Sequence, residues 1–291
     1  MTVQLNRRNL LRLAAVGGVV FASRLSLRSG VAATEEFYFI QLSDLHWGVQ
    51  DPKANPDPKG TLEKAIAAIN AAPHQPDFIV FTGDLTHKTD NGAERRRRMG
   101  EVRDMLGTLK VSQHIYLPGE HDAAADQGKA FQEFFGPLHQ NFDHKDLHFV
   151  ALDNTSDPQG LLGDAQIAWL AEDLKKQAAD WPIVVLAHRP LFDLKPDWDW
   201  FTKDSAKAIA LLAPFQKVTV FYGHIHQQNT HVIGNVTHVA ARSAMYPLPA
   251  PGAAPKKAPL PWDANAADHG IGWREIETGG AALNIDDRAT V

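Results

Sequence analysis

From residue 37 onward, short apolar runs alternate with amphipathic stretches, and the two periods predict strands and helices in turn. Phe37–Leu42, Asp77–Phe81 and His114–Leu117 read as strands. Thr61–Ala72, with Leu62, Ala65, Ile66 and Ile69 on one face, reads as a helix, and so does Ala93–Leu109. Gly128–Phe135 is a short predicted helix, His148–Leu152 a strand, and Asp164–Ala179 a helix whose apolar face holds Ile167, Trp169, Leu170 and Leu174. Pro182–Leu186 and Val218–Tyr222 are predicted strands on either side of a helix at Ser205–Leu212. Gly234-Asn235, between His231–Ile233 and Val236–Ala240, marks a tight hairpin, and Trp273–Ile276 with Ala281–Ile285 predicts another. The order is β-α-β-α early and β-rich late. It points to an α/β protein with two sheets rather than one doubly wound sheet. Six prolines between 247 and 261 mark a loop, a candidate rim or lid inside the domain.

Residues 1–33 break this pattern. They hold five arginines and no acidic residue. Arg7-Arg8 sits ahead of an apolar run from Leu13 to Ala22, and Val31-Ala32-Ala33 offers small residues before a cut at Thr34. The 11 uncharged residues between Arg12 and Arg24 are too few for a membrane span, which needs about 20. The segment reads as a twin-arginine export signal, with an uncleaved anchor as the other reading. The twin-arginine translocase is then a transient partner, and the mature domain runs over 34–291 in the periplasm or outside the cell. That route carries proteins already folded, so a metal can be loaded before export.

Charge and composition sharpen this. The chain of 291 residues has a net charge of -5, and without its leader the remaining 24 basic and 34 acidic residues give -10. No basic face for nucleic acid is expected. With no cysteine, a disulfide framework and a thiolate zinc site are both excluded, so any metal must be held by the 14 histidines and the carboxylates.

Potential ligands recur where strands end. Asp44-Leu45-His46 follows the first strand, Gly83-Asp84 the second, and Gly119-Glu120-His121-Asp122 the third. His188 and Gly223-His224-Ile225-His226 follow two later ones. Strand ends of an α/β sheet open into the crevice where ligands bind. Alone, each piece is weak, since a single Asp-x-His is commonly a surface loop. Together they supply the oxygen and imidazole inventory of two borderline metal ions.

In this order, the pieces resemble D-x-H, G-D, G-N-H-[DE], H and G-H-x-H, the signature of the calcineurin-like metallophosphoesterases, over roughly Phe37 to Ala241. The resemblance implies two mixed β-sheets packed face to face and flanked by helices, a four-layer αββα sandwich. It implies one metal held by Asp44, His46, Asp84 and His226, and a second held by Asp84, Glu120, His188 and His224, with Asp84 bridging. His121 is then expected to contact the substrate and, when protonated, to assist the leaving group, with Asp122 orienting it. The expected substrate is a small phosphate ester, attacked by a hydroxide shared between cations about 3.5–4 Å apart. Manganese, iron or zinc would serve. Leu152-Asp153, Gly163 and Gln166–Leu170 also resemble the cyclic-nucleotide and glycerophosphodiester branch, though an amphipathic helix accounts for most of that match.

One position departs from the pattern. Glu120 stands where the family has Asn, giving a charged oxygen and no amide donor. At about 5 Å and an effective dielectric near 20, one extra negative charge is worth roughly 3 kcal/mol against an anionic substrate. Three outcomes follow: preference for monoanionic diesters, Fe(III) in the site, or metal binding without turnover. The first two are favoured; a non-catalytic metal-binding homologue is the alternative.

Weaker features complete the reading. Arg95–Arg98 fan around a predicted helix, with Glu94, Glu101 and Asp104 as partners, which suggests a solvated face. Trp198 and Trp200 are candidates to face a base or lipid, or to cap the core, and His87 is a candidate for the site rim. Specificity is expected from the loops 51–60, 189–204 and 247–263.

Overall fold

The computed structural model describes residues 36–266, 268–279 and 282–289. The leader at 1–33 lies outside them. Among the described residues no helix is long and apolar enough to cross a membrane.

Strands β1 (Tyr38–Leu42), β2 (Phe78–Thr82) and β3 (His114–Leu117) run parallel, while β10 (Gly272–Gly279) and β11 (Ala282–Ala289) continue the same sheet antiparallel beyond β1. The second sheet has the order β4 (Gln140–His144), β5 (Leu147–Ala151), β6 (Ile183–Leu186), β7 (Val218–Tyr222), β9 (Val236–Ala240), β8 (Asn229–Ile233). Its inner four strands are parallel and its two edges antiparallel. The main helices are α1 (Pro58–Asn70), α2 (Gly92–Leu106), α3 (Glu120–Ala123), α4 (Lys129–Phe135), α5 (Asp164–Leu174) and α6 (Ser205–Leu212).

Period-2 alternation assigns each strand residue to a layer. Phe39, Phe78, Val80 and Leu117 of the first sheet meet Phe149, Val184, Leu186 and Phe221 of the second in the central core. Their neighbours Ile40, Leu42, Ile79 and Phe81 turn outward onto α1, α2 and α4, through Leu62, Ile66, Met99 and Phe131. On the far side Val150, Val185 and Val220 pack against Leu170 and Leu174 of α5 and Leu212 of α6. The result is the four-layer αββα arrangement, with both sheets buried on two faces. That explains why their strands read as nearly continuous apolar runs.

Three details differ from the sequence reading. α5 stops at Leu174, five residues short of the expected end. The edge strand β4 carries a single apolar residue, Phe142, and gives almost no strand pattern. The arginine run is only partly solvated: Arg95 is buried and pairs with Asp126 at 3.0 Å, and Arg98 turns inward to donate to the carbonyl of His87 at 2.8 Å. Arg96 and Arg97 face outward toward Glu133, Glu94 and Glu101.

Candidate metal centre

Five parallel strands deliver their last residues to one end of the sandwich, and there the chain must turn at once. Asp44, His46, Asp84, His224 and His226 all have positive φ, between 44° and 64°. Non-glycine residues rarely adopt this conformation, and where several do so together the surrounding packing must hold them. At Gly119 a Cβ would collide with the carboxylate of Asp84, which is why the third turn needs glycine.

The turned side chains form two clusters. Asp44, His46 and His226 bring their ligand atoms within 4.8 Å of one another, and so do Glu120, His188 and His224. Asp84 lies between them. Its Oδ2 is 3.6 Å from His46 Nε2 and 3.6 Å from His188 Nε2, and its Oδ1 accepts from the His121 N–H at 2.9 Å. Within the clusters, His46 Nε2 stands 3.0 Å from His226 Nε2, Glu120 Oε2 2.9 Å from His188 Nε2, and Glu120 Oε1 3.0 Å from His224 Nδ1.

Three of these histidines are aimed by the ring nitrogen they turn away. His188 Nδ1 donates to the Thr82 carbonyl at 2.6 Å, His224 Nε2 to the Asp199 carbonyl at 2.9 Å, and His226 Nδ1 to the Tyr246 carbonyl at 2.7 Å. A carbonyl can only accept, so the inward nitrogen of each neutral ring carries the lone pair that a metal needs. Asp44 is fixed by the His224 N–H at 3.0 Å and by Ser43 Oγ at 2.5 Å.

The electrostatics follow. Burial pushes Asp84 well above the usual carboxylate range, with Glu120 adding repulsion. Burial would also raise Glu120, but His224 and His188 hold it well below its ordinary value. For His188 burial acts downward and is outweighed by Asp84 and Glu120, which push it up to about 10. His188 Nε2 and Glu120 Oε2 are both buried without a hydrogen-bond partner despite their 2.9 Å approach. Such orphaned polar atoms are costly unless something else satisfies them. Buried carboxylates facing imidazole lone pairs around a shared Asp84 are a donor set suited to two cations, and the residues present fit that group.

The residues 37–228 match the family model of the calcineurin-like phosphoesterases, about two thirds of the chain. This protein belongs to that family. It is therefore a metal-dependent phosphoesterase, of a family that binds two metal ions. The chain is 27% identical over 227 residues to a cAMP/cGMP dual specificity phosphodiesterase of Mycobacterium tuberculosis, covering 74% of this chain and 70% of that one. It is 25% identical to the 3′,5′-cyclic adenosine monophosphate phosphodiesterase of Escherichia coli, covering 65% and 69%. Its fold superposes with a TM-score of 0.61 on a purple acid phosphatase of yellow lupin, at 14% identity over 88% of this chain and 52% of that one. A dimetal phosphatase of Danio rerio gives 0.55 at 14% identity, covering 88% and 99%.

Several residues take places other than those expected from sequence. Asp122 does not orient His121. Its carboxylate accepts from the N–H groups of Leu85, Thr86 and Gly119 and from Thr86 Oγ1, at 2.8–3.0 Å, and so fastens the β2 turn to the β3 turn. His121 is held instead by the Lys88 N–H, which donates to its Nδ1 at 3.1 Å. A nitrogen that accepts cannot also be protonated, so the His121 ring is neutral with its proton on Nε2. Burial agrees, pushing His121 down to about 3. Of the two readings open for Trp198 and Trp200, the core-capping one holds: both are buried with Phe192, Tyr222 and Ile225. His87 does reach the cluster, with Nδ1 3.4 Å from His46 Nδ1. Burial and the charge of Arg98 lower His87 to about 4.

Other contributors gave little sequence signal. Tyr246 stacks on His46 at 4.8 Å between ring centroids while its carbonyl orients His226. Arg189, also buried, reaches Glu120 with Nε 3.8 Å from Oε2. The Gln166 side chain clamps the Asp153 backbone, accepting from its N–H at 2.8 Å and donating to its carbonyl at 2.6 Å. This gives the Leu152-Asp153 and Gln166 pattern a structural cause.

Proposed function

We propose that this protein hydrolyses a phosphodiester, with cyclic nucleotides as the leading substrate class, after export by the twin-arginine route. The observation that carries the catalytic part is the pairing of Asp44/His46/His226 with Glu120/His188/His224 around Asp84. Two bound cations would supply a nucleophile at neutral pH and neutralise charge on the phosphoryl oxygens. Manganese, zinc or iron suits these ligands, and Fe(III) would offset the added charge of Glu120.

The chain's own groups define the rest. Asp84, which reaches both clusters, would be the ligand shared by the two cations. His121, neutral and with its proton on Nε2, donates a hydrogen bond to the leaving oxygen as the P–O bond lengthens. Glu120 lowers the net positive charge of the site by about one unit relative to the family's neutral Asn, which favours a monoanionic diester over a dianionic monoester. The naming of two relatives as cyclic-nucleotide phosphodiesterases supports the substrate class.

The test is a panel of cyclic nucleotides, glycerophosphodiesters and aryl mono- and diesters, assayed on exported protein with its native metals retained. Diester turnover exceeding monoester turnover is expected, and Glu120→Asn should shift the ratio toward monoesters. An unchanged ratio would remove the charge argument. Two metals per chain with no turnover would leave a metal-binding homologue. For export, replacing Arg7 and Arg8 together with Lys should retain the protein in the cytoplasm.

A further inference from the structure

Three of the four metal-facing histidines turn their outer nitrogen to a main-chain carbonyl; His46 does not. Its Nε2 faces the cluster, and its Nδ1 meets the Nδ1 of His87 at 3.4 Å. When Nε2 of His46 serves as a ligand, its proton must sit on Nδ1, so His46 donates and His87 accepts. That leaves His87 with a single donor, its Nε2–H, on a half-buried ring packed edge-on against His121 at 5.2 Å between centroids.

The backbone holds these two rings together. Arg98 donates to the His87 carbonyl at 2.8 Å, and the His87 N–H donates to the Trp47 carbonyl at 2.9 Å. The next residue, Lys88, supplies the N–H that binds His121 Nδ1. One short segment, 87–88, therefore sets the tautomer of two imidazoles. His46, His87 and His121 each bring a ring nitrogen within 4.8 Å of the others.

We propose that His87 has a double role: it is the acceptor that orients His46, and it is a second imidazole N–H donor, beside His121, to the substrate's leaving oxygen. The substrate role rests on the phosphodiesterase reading; the contact with His46 does not. No proton transfer is required of His87, which stabilises charge building on the oxygen by hydrogen bonding alone.

Two substitutions separate the roles. His87→Asn keeps an acceptor where Nδ1 stands and removes the distal donor. His87→Phe removes both. The readouts are metal affinity by chelator competition, and kcat/KM on methyl 4-nitrophenyl phosphate and methyl phenyl phosphate, which differ only in leaving group. His87→Asn should keep metal affinity within about threefold of the parent. It should lose about tenfold or more on the phenyl ester and less than about threefold on the nitrophenyl ester, whose leaving group needs little help. His87→Phe should in addition weaken metal binding by about 10–100-fold. Equal losses of His87→Asn on both esters, or no loss on either, would overturn the donor role. Parent-like metal affinity in His87→Phe would overturn the orienting role, and loss of a third metal ion in both variants would replace it with a ligand role. If the parent cleaves neither ester, the phosphodiesterase reading fails while the affinity measurement still decides the His46 contact.

Discussion

Nε of Arg189 stands 3.8 Å from Oε2 of Glu120, so a buried guanidinium faces the carboxylate that distinguishes this site. Arg189 is held in place by Asp199, to which it donates at 2.7 Å, and by Asn154, which bonds both its N–H and its carbonyl. The two charges should be energetically coupled. Arg189→Gln in the parent is expected to lower kcat/KM on a diester by about tenfold, and in a Glu120→Asn background by less than about threefold. Equal losses in both backgrounds would mean that Arg189 acts independently of Glu120.

Asp84 reaches both clusters, so it cannot be replaced by a weaker ligand at either one alone. Asp84→Asn should reduce bound metal from two ions to one or none per chain and abolish turnover with it. Retained activity at full metal content would exclude the bridging role.

The pH dependence has opposite signs for stability and for metal uptake in metal-depleted protein. His188 is held up to about 10 by Asp84 and Glu120 after burial has acted downward, against about 6.5 when unfolded. The folded chain then binds the extra proton, so this contribution to stability is complete below about 6.5 and is lost as pH rises toward 10. A metal must displace the same proton, so its affinity should rise across that window. Thermal melts and chelator competition between pH 6.5 and 9.5 measure both slopes. Slopes of the same sign would contradict this protonation state.

Asp122 is a fastener between two turns, and its variants should behave as stability mutants. Asp122→Ala strands three backbone N–H groups and should cost about 3 kcal/mol or more by urea unfolding. The pH–rate profile of the surviving folded fraction should match the parent. An unchanged unfolding midpoint with an altered profile would restore the orienting role toward His121.

His238 on β9 is fully buried beside Phe192, with no side-chain partner for either ring nitrogen. Burial pushes it down to about 4. The unfolded chain therefore takes the proton first as pH falls, and stability is lost between about 6.5 and 4. The parent should be about 2 kcal/mol less stable at pH 5 than at pH 8 from this group alone. His238→Phe should remove that increment, read as a flatter dependence of the melting temperature on pH.

The ligands were legible because each sits in a short motif after a strand whose apolar run is unmistakable: Phe78–Thr82 before Asp84, Val218–Tyr222 before His224. What the motifs do not contain is where side chains turn next. Asp122 and His121 are adjacent in sequence, yet Asp122 points back at the turns while His121 faces the cluster, because α3 is a single helical turn that sends neighbours apart. Arg189 follows a ligand directly, but its partner Asp199 is ten residues on, across a loop without periodicity. Trp198 and Trp200 alternate with aspartates like a displayed surface, and an αL turn at Asp199 folds both rings inward. β4 leaves no apolar pattern in the sequence because an edge strand needs only Phe142 for the core.

The centre also joins the two sheets. Asp44, His46, Asp84 and Glu120 extend from the first sheet, while His188, His224 and His226 extend from the second. A pair of cations shared by both sets would act as a staple across the seam, closing a loop as long as the 180 residues between His46 and His226. Cross-links over long loops restrict the unfolded chain most, and this chain has no cysteine with which to make one. The ligand sets meet only once the sheets have docked, so tight metal capture would report a completed fold, and chelation should free the halves to part.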